Sequence, residues 1–224
     1  FLIMLQPDLG TAIIFAGLTG IIFFSSPVSR LIKFKVIGLF LGMCLVVGAV
    51  LIMTGGSFLQ ARQIERFNFT RPCDRLLDTG NQVCNGYISI NNGGLTGVGL
   101  GNSTQKYLYL PYPYTDFIFA VTVEELGLVV GIIIILAYLY LLYRILKIGR
   151  DSYTNRGALL CYGVAVYIFL HVVVNLMGLF GLMPMTGVPL PFLSYGGSFT
   201  LCLMVSLAIV QRVNIENKLR DKKS

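Results

Sequence analysis

Long apolar stretches alternate with polar segments along the chain. Five of these stretches are long enough, or nearly so, to cross a hydrocarbon core of about 30 Å, which takes about 20 helical residues. Residues 1–5 are also apolar and are interpreted as the end of a preceding span. The pattern predicts an all-α polytopic membrane protein, with spans at residues 9–26, 36–55, 117–143, 157–180 and 197–213.

The same pattern divides the chain into four parts. Residues 1–55 hold the end of one span and two further helices, and residues 56–116 form a large polar loop. Residues 117–213 hold three spans, with a Pro/Gly-rich loop at 181–196, and residues 214–224 form a basic tail. Because the chain opens on phenylalanine without an initiator methionine, we expect it to be part of a larger protein.

Composition and charge agree with a membrane location. Hydrophobic residues make up 55% of the chain, charged residues 12%, and the mean hydropathy is +0.77; a soluble domain has about twice that charged fraction. Twelve of the 17 Lys and Arg flank the spans on one side if the spans alternate. The positive-inside rule then predicts a cytoplasmic C-terminus and an extracellular 56–115 loop. This placement excludes nucleic acid as a partner and favours anionic membrane lipid.

The cysteines divide by the same topology. Cys44, Cys161 and Cys202 fall within apolar spans, whereas Cys73 and Cys84 share the large loop, where oxidation would persist. We favour a disulfide between these two residues, with two free thiols as the alternative. Two cysteines alone are too few for a structural zinc site, and no metal-ligand spacing appears in the sequence.

Within the large loop, five glycines occur in the nine residues 93–101. Glycine permits positive φ and a close approach of backbone to another group. We interpret this segment as a flexible loop whose backbone amides receive a bulky head group. The alternative is a simple turn.

Three carboxylates occur where this loop meets the third span. Asp116 lies at the border, and Glu124 and Glu125 lie within the apolar run, where an acid costs about 2.5–3.5 kcal/mol. Asp116 has two interpretations that the residues leave open, a general base and a helix N-cap. In a continuous helix Glu124 would lie about 80° from Asp116 and Glu125 about 180° away. Only Glu124 is then expected to share a cavity with Asp116, with a structural and a functional role both left open, and Glu125 is expected to satisfy a polar group on a neighbouring helix.

Two further polar features lie near the C-terminal spans. His171 and Asn175 share a helix face, for which we favour an interhelical hydrogen bond over a proton relay. The Pro/Gly-rich residues 184–197 predict a rigid non-helical element that packs on protein and forms a wall of a substrate groove.

Four separated blocks resemble the SEDS family (FtsW/RodA/SpoVE), and the chain is similar to the C-terminal half of such proteins, with FtsW-like members slightly favoured. The blocks are residues 6–11 with Gln6 and Asp8, the glycine-rich residues 93–106, residues 115–127 with Asp116, Glu124 and Glu125, and residues 183–198 with Pro189, Ser194 and Tyr195.

The resemblance implies about ten transmembrane helices in the full protein, of which about five lie here. It implies a peptidoglycan glycosyltransferase in division or cell-shape maintenance, which polymerises lipid II at the outer face of the bacterial cytoplasmic membrane and releases undecaprenyl pyrophosphate. Asp116 matches the family's catalytic aspartate. The implied partners are lipid II, the nascent glycan strand, membrane lipid and a class B penicillin-binding protein, and the implied cofactor is Mg²⁺ or Mn²⁺ arriving with substrate.

We expect substrate contacts from residues in these blocks, namely Gln6, Asp8, Asn102, Lys106, Glu124, Pro189, Ser194 and Tyr195. The chain departs from the family before Asp116, where Tyr112 and Tyr114 replace the usual Glu and His. This departure puts the head-group contacts in doubt. Two other functions remain open, a lipid II transporter and a non-catalytic scaffold for the penicillin-binding protein.

Overall fold

The structure is a computed structural model, and it describes residues 9–54, 72–74 and 79–221. Over these residues the secondary structure is entirely helical. A 3-10 turn at Pro72–Asp74 precedes the third of eight α-helices. The helices are α1 Leu9–Ser25, α2 Arg30–Thr54, α3 Thr79–Gly93, α4 Gln105–Leu108, α5 Ile118–Leu126, α6 Leu128–Arg150, α7 Asn155–Leu179 and α8 Gly197–Asp221.

Among the described residues, three helices are long and apolar enough to cross a membrane: α6, α7 and residues 197–220 of α8. The helix α1 is apolar but shorter, with 17 residues. The all-helical, polytopic architecture predicted from the apolar pattern is confirmed. The last helix continues to Asp221, past the predicted end of the span at residue 213, so the span and most of the predicted polar tail form one helix.

The predicted span at 117–143 is wrong in one respect, because the structure breaks it at Gly127. This residue has φ 86° and ψ 166°, a conformation that favours glycine. A Cβ on Gly127 would lie 2.2 Å from the carbonyl oxygen of Leu95. The break gives the backbone of the 94–99 segment a place to dock, with Leu128 N–H donating to Gly94 O at 2.9 Å. The short helix α5 is therefore separate from the long helix α6.

The large loop also differs from the sequence expectation, because part of it is helical. The helix α3 packs against α5, and Cys84 in α3 forms a disulfide with Cys73, their Cα atoms 4.9 Å apart. This is the pairing that the sequence analysis favoured over free thiols. Polar residues and glycine dominate α3, so it lacks the long apolar run from which the other long helices were predicted.

The helix α7 is the centre of the bundle and contacts α6, α8 and α1. Its inward face is fully buried at Cys161 and Ile168, and Thr154 caps its start by accepting a hydrogen bond from Gly157 N–H at 3.1 Å. The contacts of Gly10 with the 186–188 loop and of Ile22 with Gly163 make α1 antiparallel to α7. The C-terminal end of α7 therefore lies beside the start of α1 and the loop that leads to α8.

Candidate functional site

Asp116 lies in a turn just before α5 and is half-buried. The N-cap position of α5 is Phe117, which is 1% exposed, so the N-cap interpretation of Asp116 does not hold. The helix begins only at Ile118. The angles derived by treating Asp116 and Glu124 as parts of one helix therefore do not apply.

The Pro/Gly-rich loop forms hydrogen bonds to the main chain just before Asp116. The hydroxyl of Ser194 donates to Thr115 O at 2.6 Å and accepts from Leu190 N–H at 2.7 Å. One residue further on, Tyr195 N–H donates to Tyr114 O at 2.8 Å. The Pro/Gly-rich loop is therefore hydrogen-bonded to the turn that carries Asp116 at two consecutive carbonyls, those of Tyr114 and Thr115.

The helix α7 contacts the Asp116 turn and the Pro/Gly-rich loop through the side chains of Asn175 and His171. The side-chain amide of Asn175 donates to Asp116 O at 3.1 Å and to Val188 O at 2.7 Å. His171 Nδ1 lies 3.2 Å from Pro189 O. The predicted interhelical hydrogen bond is wrong, because both side chains contact carbonyls of loops that lie against the end of α7.

The carboxylate of Asp116 lies beside a glycine of the loop. A Cβ built on Gly187 would be 3.6 Å from Asp116 Oδ2, and the φ of Gly187 is +70°. On the other side of this loop, Gly10 at the start of α1 leaves no room for a side chain against Thr186 and Val188. The start of α1 therefore belongs to the same neighbourhood as Asp116.

Glu124 is completely enclosed, with 1% exposure, and four side chains donate hydrogen bonds to it. Ser103 and Ser89 donate to Oε2 at 2.5 and 2.9 Å. Thr104 and Asn92 donate to Oε1 at 3.2 and 3.5 Å. Burial alone would raise the pKa of Glu124, yet these hydrogen bonds together lower it below the ordinary value. This carboxylate joins α3, the 103–104 segment and α5.

Glu125 has a different partner, as the sequence analysis expected. Its carboxylate forms an ion pair with Lys106 at 3.1 Å, and both side chains are largely buried. The hydrogen bond to Glu125 is the main reason that the pKa of Lys106 is raised. The ammonium also lies 5.9 Å from the ring centre of Tyr114, two residues before Asp116.

The glycine-rich segment docks on the protein's own backbone. Gly97 N–H bonds to Gly93 O, Val98 N–H to Glu124 O at 2.9 Å, and Gly99 N–H to Glu125 O at 3.0 Å. A Cβ on Gly97 would lie 2.3 Å from Glu125 O. These three amides are therefore occupied by backbone carbonyls and are not offered to a head group; contact of the remaining residues 93–101 with a head group stays a prediction.

A family model described as "Cell cycle protein" (FTSW_RODA_SPOVE) matches residues 1–219. The chain belongs to the FtsW/RodA/SpoVE family. It is 38% identical over 228 residues to the "Probable peptidoglycan glycosyltransferase FtsW" of Lactococcus lactis, covering 97% of this chain and 53% of that protein. It is 36% identical to the "Stage V sporulation protein E" of Bacillus subtilis, covering 95% of this chain and 56% of that protein.

A solved structure has the same architecture. It is described as "Structural coordination of polymerization and crosslinking by a peptidoglycan synthase complex", and the match has a TM-score of 0.67 and 27% identity. The match covers 96% of this chain and 58% of that chain. The chain thus spans about half the length of the curated relatives it matches.

The predicted site residues other than Asp116 fall into four groups. Pro189 and Ser194 lie in the loop that grips Asp116, but the Ser194 hydroxyl is already engaged with main chain on both sides, which favours a bracing role over a substrate contact. Glu124 and Lys106 are held by their own partners.

Tyr195 and Asn102 are exposed, Tyr195 at 81%, and their expected substrate contacts stay predictions. Gln6 and Asp8 lie outside the described residues. The role of Asn175 as a support of the Asp116 main chain was not predicted, because its only signal in the sequence was an amide inside an apolar span.

The expected divalent cation has no prepared site in the part of the chain that the structure describes. No group of three His, Cys, Asp or Glu side chains there is arranged to hold a metal ion. Of the two acids nearest Asp116 in sequence, Glu124 is enclosed by hydroxyl and amide donors and Glu125 is paired with Lys106. The described residues alone therefore do not fit a resident metal ion.

Proposed function

We propose that this protein is a peptidoglycan glycosyltransferase that polymerises lipid II, with Asp116 as the general base. The observation that carries the proposal is the placement of Asp116: a half-buried carboxylate in a turn whose main chain is held by α7 and the Pro/Gly-rich loop. Relatives named peptidoglycan glycosyltransferase share 38% identity over nearly the whole chain, which supports the reaction class.

The proposed reaction forms one glycosidic bond and breaks one bond to phosphate oxygen. The 4-hydroxyl oxygen of the acceptor sugar bonds to the anomeric carbon of the donor, and its proton passes to the Asp116 carboxylate. The anomeric carbon–oxygen bond to undecaprenyl pyrophosphate breaks, and the leaving group takes the electron pair. A general base of this kind contributes about 10²–10⁴-fold to rate. We assign the divalent cation to the substrate pyrophosphate, with no step through this chain's residues.

The proposed location is the bacterial cytoplasmic membrane, with the Asp116 end of the bundle outside. Support comes from the basic residues, which collect at the opposite end, where α6 finishes with Lys147 and Arg150 and α8 with Lys218 and Arg220. We propose a class B penicillin-binding protein as partner, because the matched solved structure is described as a synthase complex that couples polymerisation to crosslinking.

The test is lipid II polymerisation by the full-length protein with its proposed partner. We expect Asp116→Asn to lower the rate about 10²–10⁴-fold while the protein stays folded. Asp151→Asn is the matched control, since Asp151 is exposed and lies at the opposite end of α6. Undiminished polymerisation by Asp116→Asn would overturn the proposed function as stated, with Asp116 as the base. Lipid II translocation by an inactive polymerase would favour the transporter.

A further inference from the structure

We infer that Asn175 is a positioning residue that sets the place of Asp116, an inference that rests on the proposed function. Asn175 lies in the last turns of α7 and is 6% exposed. Its side chain reaches two carbonyls from segments 59 and 13 residues away in the chain, Asp116 O and Val188 O. One side chain therefore joins the turn that carries the proposed base to the loop beside its carboxylate.

The chemistry of the amide suits this task. An Asn side chain carries two N–H donors in one plane, and here both are used. Its oxygen Oδ1 is buried without a hydrogen-bond partner among the described residues, so the contribution of the side chain comes from the two donors. An apolar residue at 175 would leave both carbonyls without this donor, and a buried acceptor without a partner is destabilising.

The bond to Asp116 O acts on the very residue that is proposed to take the proton. The carbonyl and the carboxylate of Asp116 share one Cα, so fixing the carbonyl limits where the carboxylate points. On the preceding carbonyl, Thr115 O, Ser194 provides the corresponding restraint from the loop. A displacement of about 1 Å in a reacting group costs about 10²-fold in rate. Loss of the Asn175 donors is therefore expected to reduce turnover more than substrate binding.

His171 provides the contrast within the same helix. It lies one turn from Asn175. Its Nδ1 contacts Pro189 O in the loop, and its ring packs against Tyr167 and Phe199. A variant at 171 perturbs the loop without touching the main chain of Asp116. Variants at 175 therefore affect the placement of the proposed base, whereas variants at 171 affect the support of the loop.

The experiment measures kcat and KM for lipid II polymerisation by the full-length protein with its proposed partner. The variants are Asn175→Leu and Asn175→Asp, which are close to asparagine in size and lack the donors, with Asn175→Gln to restore an amide. We expect kcat to fall about 10²-fold with KM changed less than about twofold, and Gln to recover part of the loss. Ser206→Ala, an exposed hydroxyl in α8 bonded to Cys202 O, is the control.

A second measurement separates positioning from folding. In an Asp116→Asn background, the residual rate should not fall further on adding Asn175→Leu, since a group that acts through Asp116 has nothing left to position. Overturning results are an unchanged kcat, a fall of the same factor in both backgrounds, or failure of both donor-less variants to fold. Full activity of Asp116→Asn removes the proposed function itself, whereas an inactive Asp116→Asn beside active Asn175 variants removes this inference alone.

Discussion

Asp116 and Glu124 are two carboxylic acids eight residues apart, and the fold treats them in opposite ways. Glu124 is enclosed, and its two oxygens accept hydrogen bonds from four side chains, two on α3 and two in the 103–104 segment. Asp116 is half-buried, and its best-defined restraints act on the main chain, through Asn175 and the neighbouring Ser194 bond to Thr115.

The difference lies in access: one carboxylate of the acidic cluster is enclosed by donors, and the other is half-buried in a turn. A carboxylate that is saturated with donors and out of contact with solvent stabilises the fold as long as it stays ionised, and a substrate cannot reach it. A general base must come within hydrogen-bond reach of the proton it takes. The geometry therefore assigns Glu124 to the architecture, and Asp116 is the acid to which the proposed function gives the role of base.

The largest expected effect that sharpens this comparison is on stability. Glu124→Ala removes the acceptor of two buried hydroxyls, Ser89 and Ser103, and we expect the free energy of unfolding to fall by about 3–5 kcal/mol. Asp116→Asn should change it by less than about 1 kcal/mol. Unfolding in detergent micelles, followed by far-UV circular dichroism, measures both.

The matched control is Glu125→Gln, since this neighbour has one partner, Lys106, and is somewhat more exposed. It should cost clearly less than Glu124→Ala. Equal losses of stability at all three acids would contradict the division into one chemical and one structural carboxylate.

A smaller effect is expected when one donor to Glu124 is removed. Ser103 donates to Glu124 and accepts from Lys106 N–H at 3.1 Å, so it holds the start of α4 as well. We expect Ser103→Ala to lower the free energy of unfolding by about 1.5–3 kcal/mol, the range for a hydrogen bond to a charged group. Thr122→Ala is the control, because the Thr122 hydroxyl bonds only within α5, to Ile118 O. A loss of unfolding free energy in Ser103→Ala no larger than that in Thr122→Ala would contradict a strong hydrogen bond from Ser103 to an ionised, buried Glu124.

Much of this arrangement was predictable from local pattern. The apolar stretches indicated the helical polytopic architecture, and the polar-to-apolar border placed Asp116 in the turn just before a helix. The shared loop of Cys73 and Cys84 gave the disulfide, and the expectation that Glu125 satisfies a group on another element is met by Lys106 on α4.

The rest depended on tertiary contacts that a hydropathy pattern does not contain. Residues 117–143 read as one apolar helix, and only the docking of the 94–99 backbone explains the break at Gly127. The same docking explains the glycines that looked like a head-group loop. Asn175 looked like an interhelical contact because its real acceptors, Asp116 O and Val188 O, come from two distant loops.

The smallest expected effect is a pH dependence that belongs to Glu124. Its pKa is lowered in the folded protein relative to the ordinary value of 4.5, and α5 is too short to be one of the candidate spans. An acid with a lowered folded-state pKa contributes stability that is fully present above the unfolded-state pKa and is lost as the pH falls through the folded-state value. Unfolding measured from pH 7 downward should therefore show stability falling below about pH 4.5, with a shallower decline in Glu124→Gln than in wild type.

The comparison is Asp116→Asn, which should keep the wild-type slope if Glu124 causes the loss of stability at acid pH. Identical slopes in wild type and Glu124→Gln would mean that the four donors do not favour the ionised carboxylate, and the contrast between the two acids would then rest on solvent access alone.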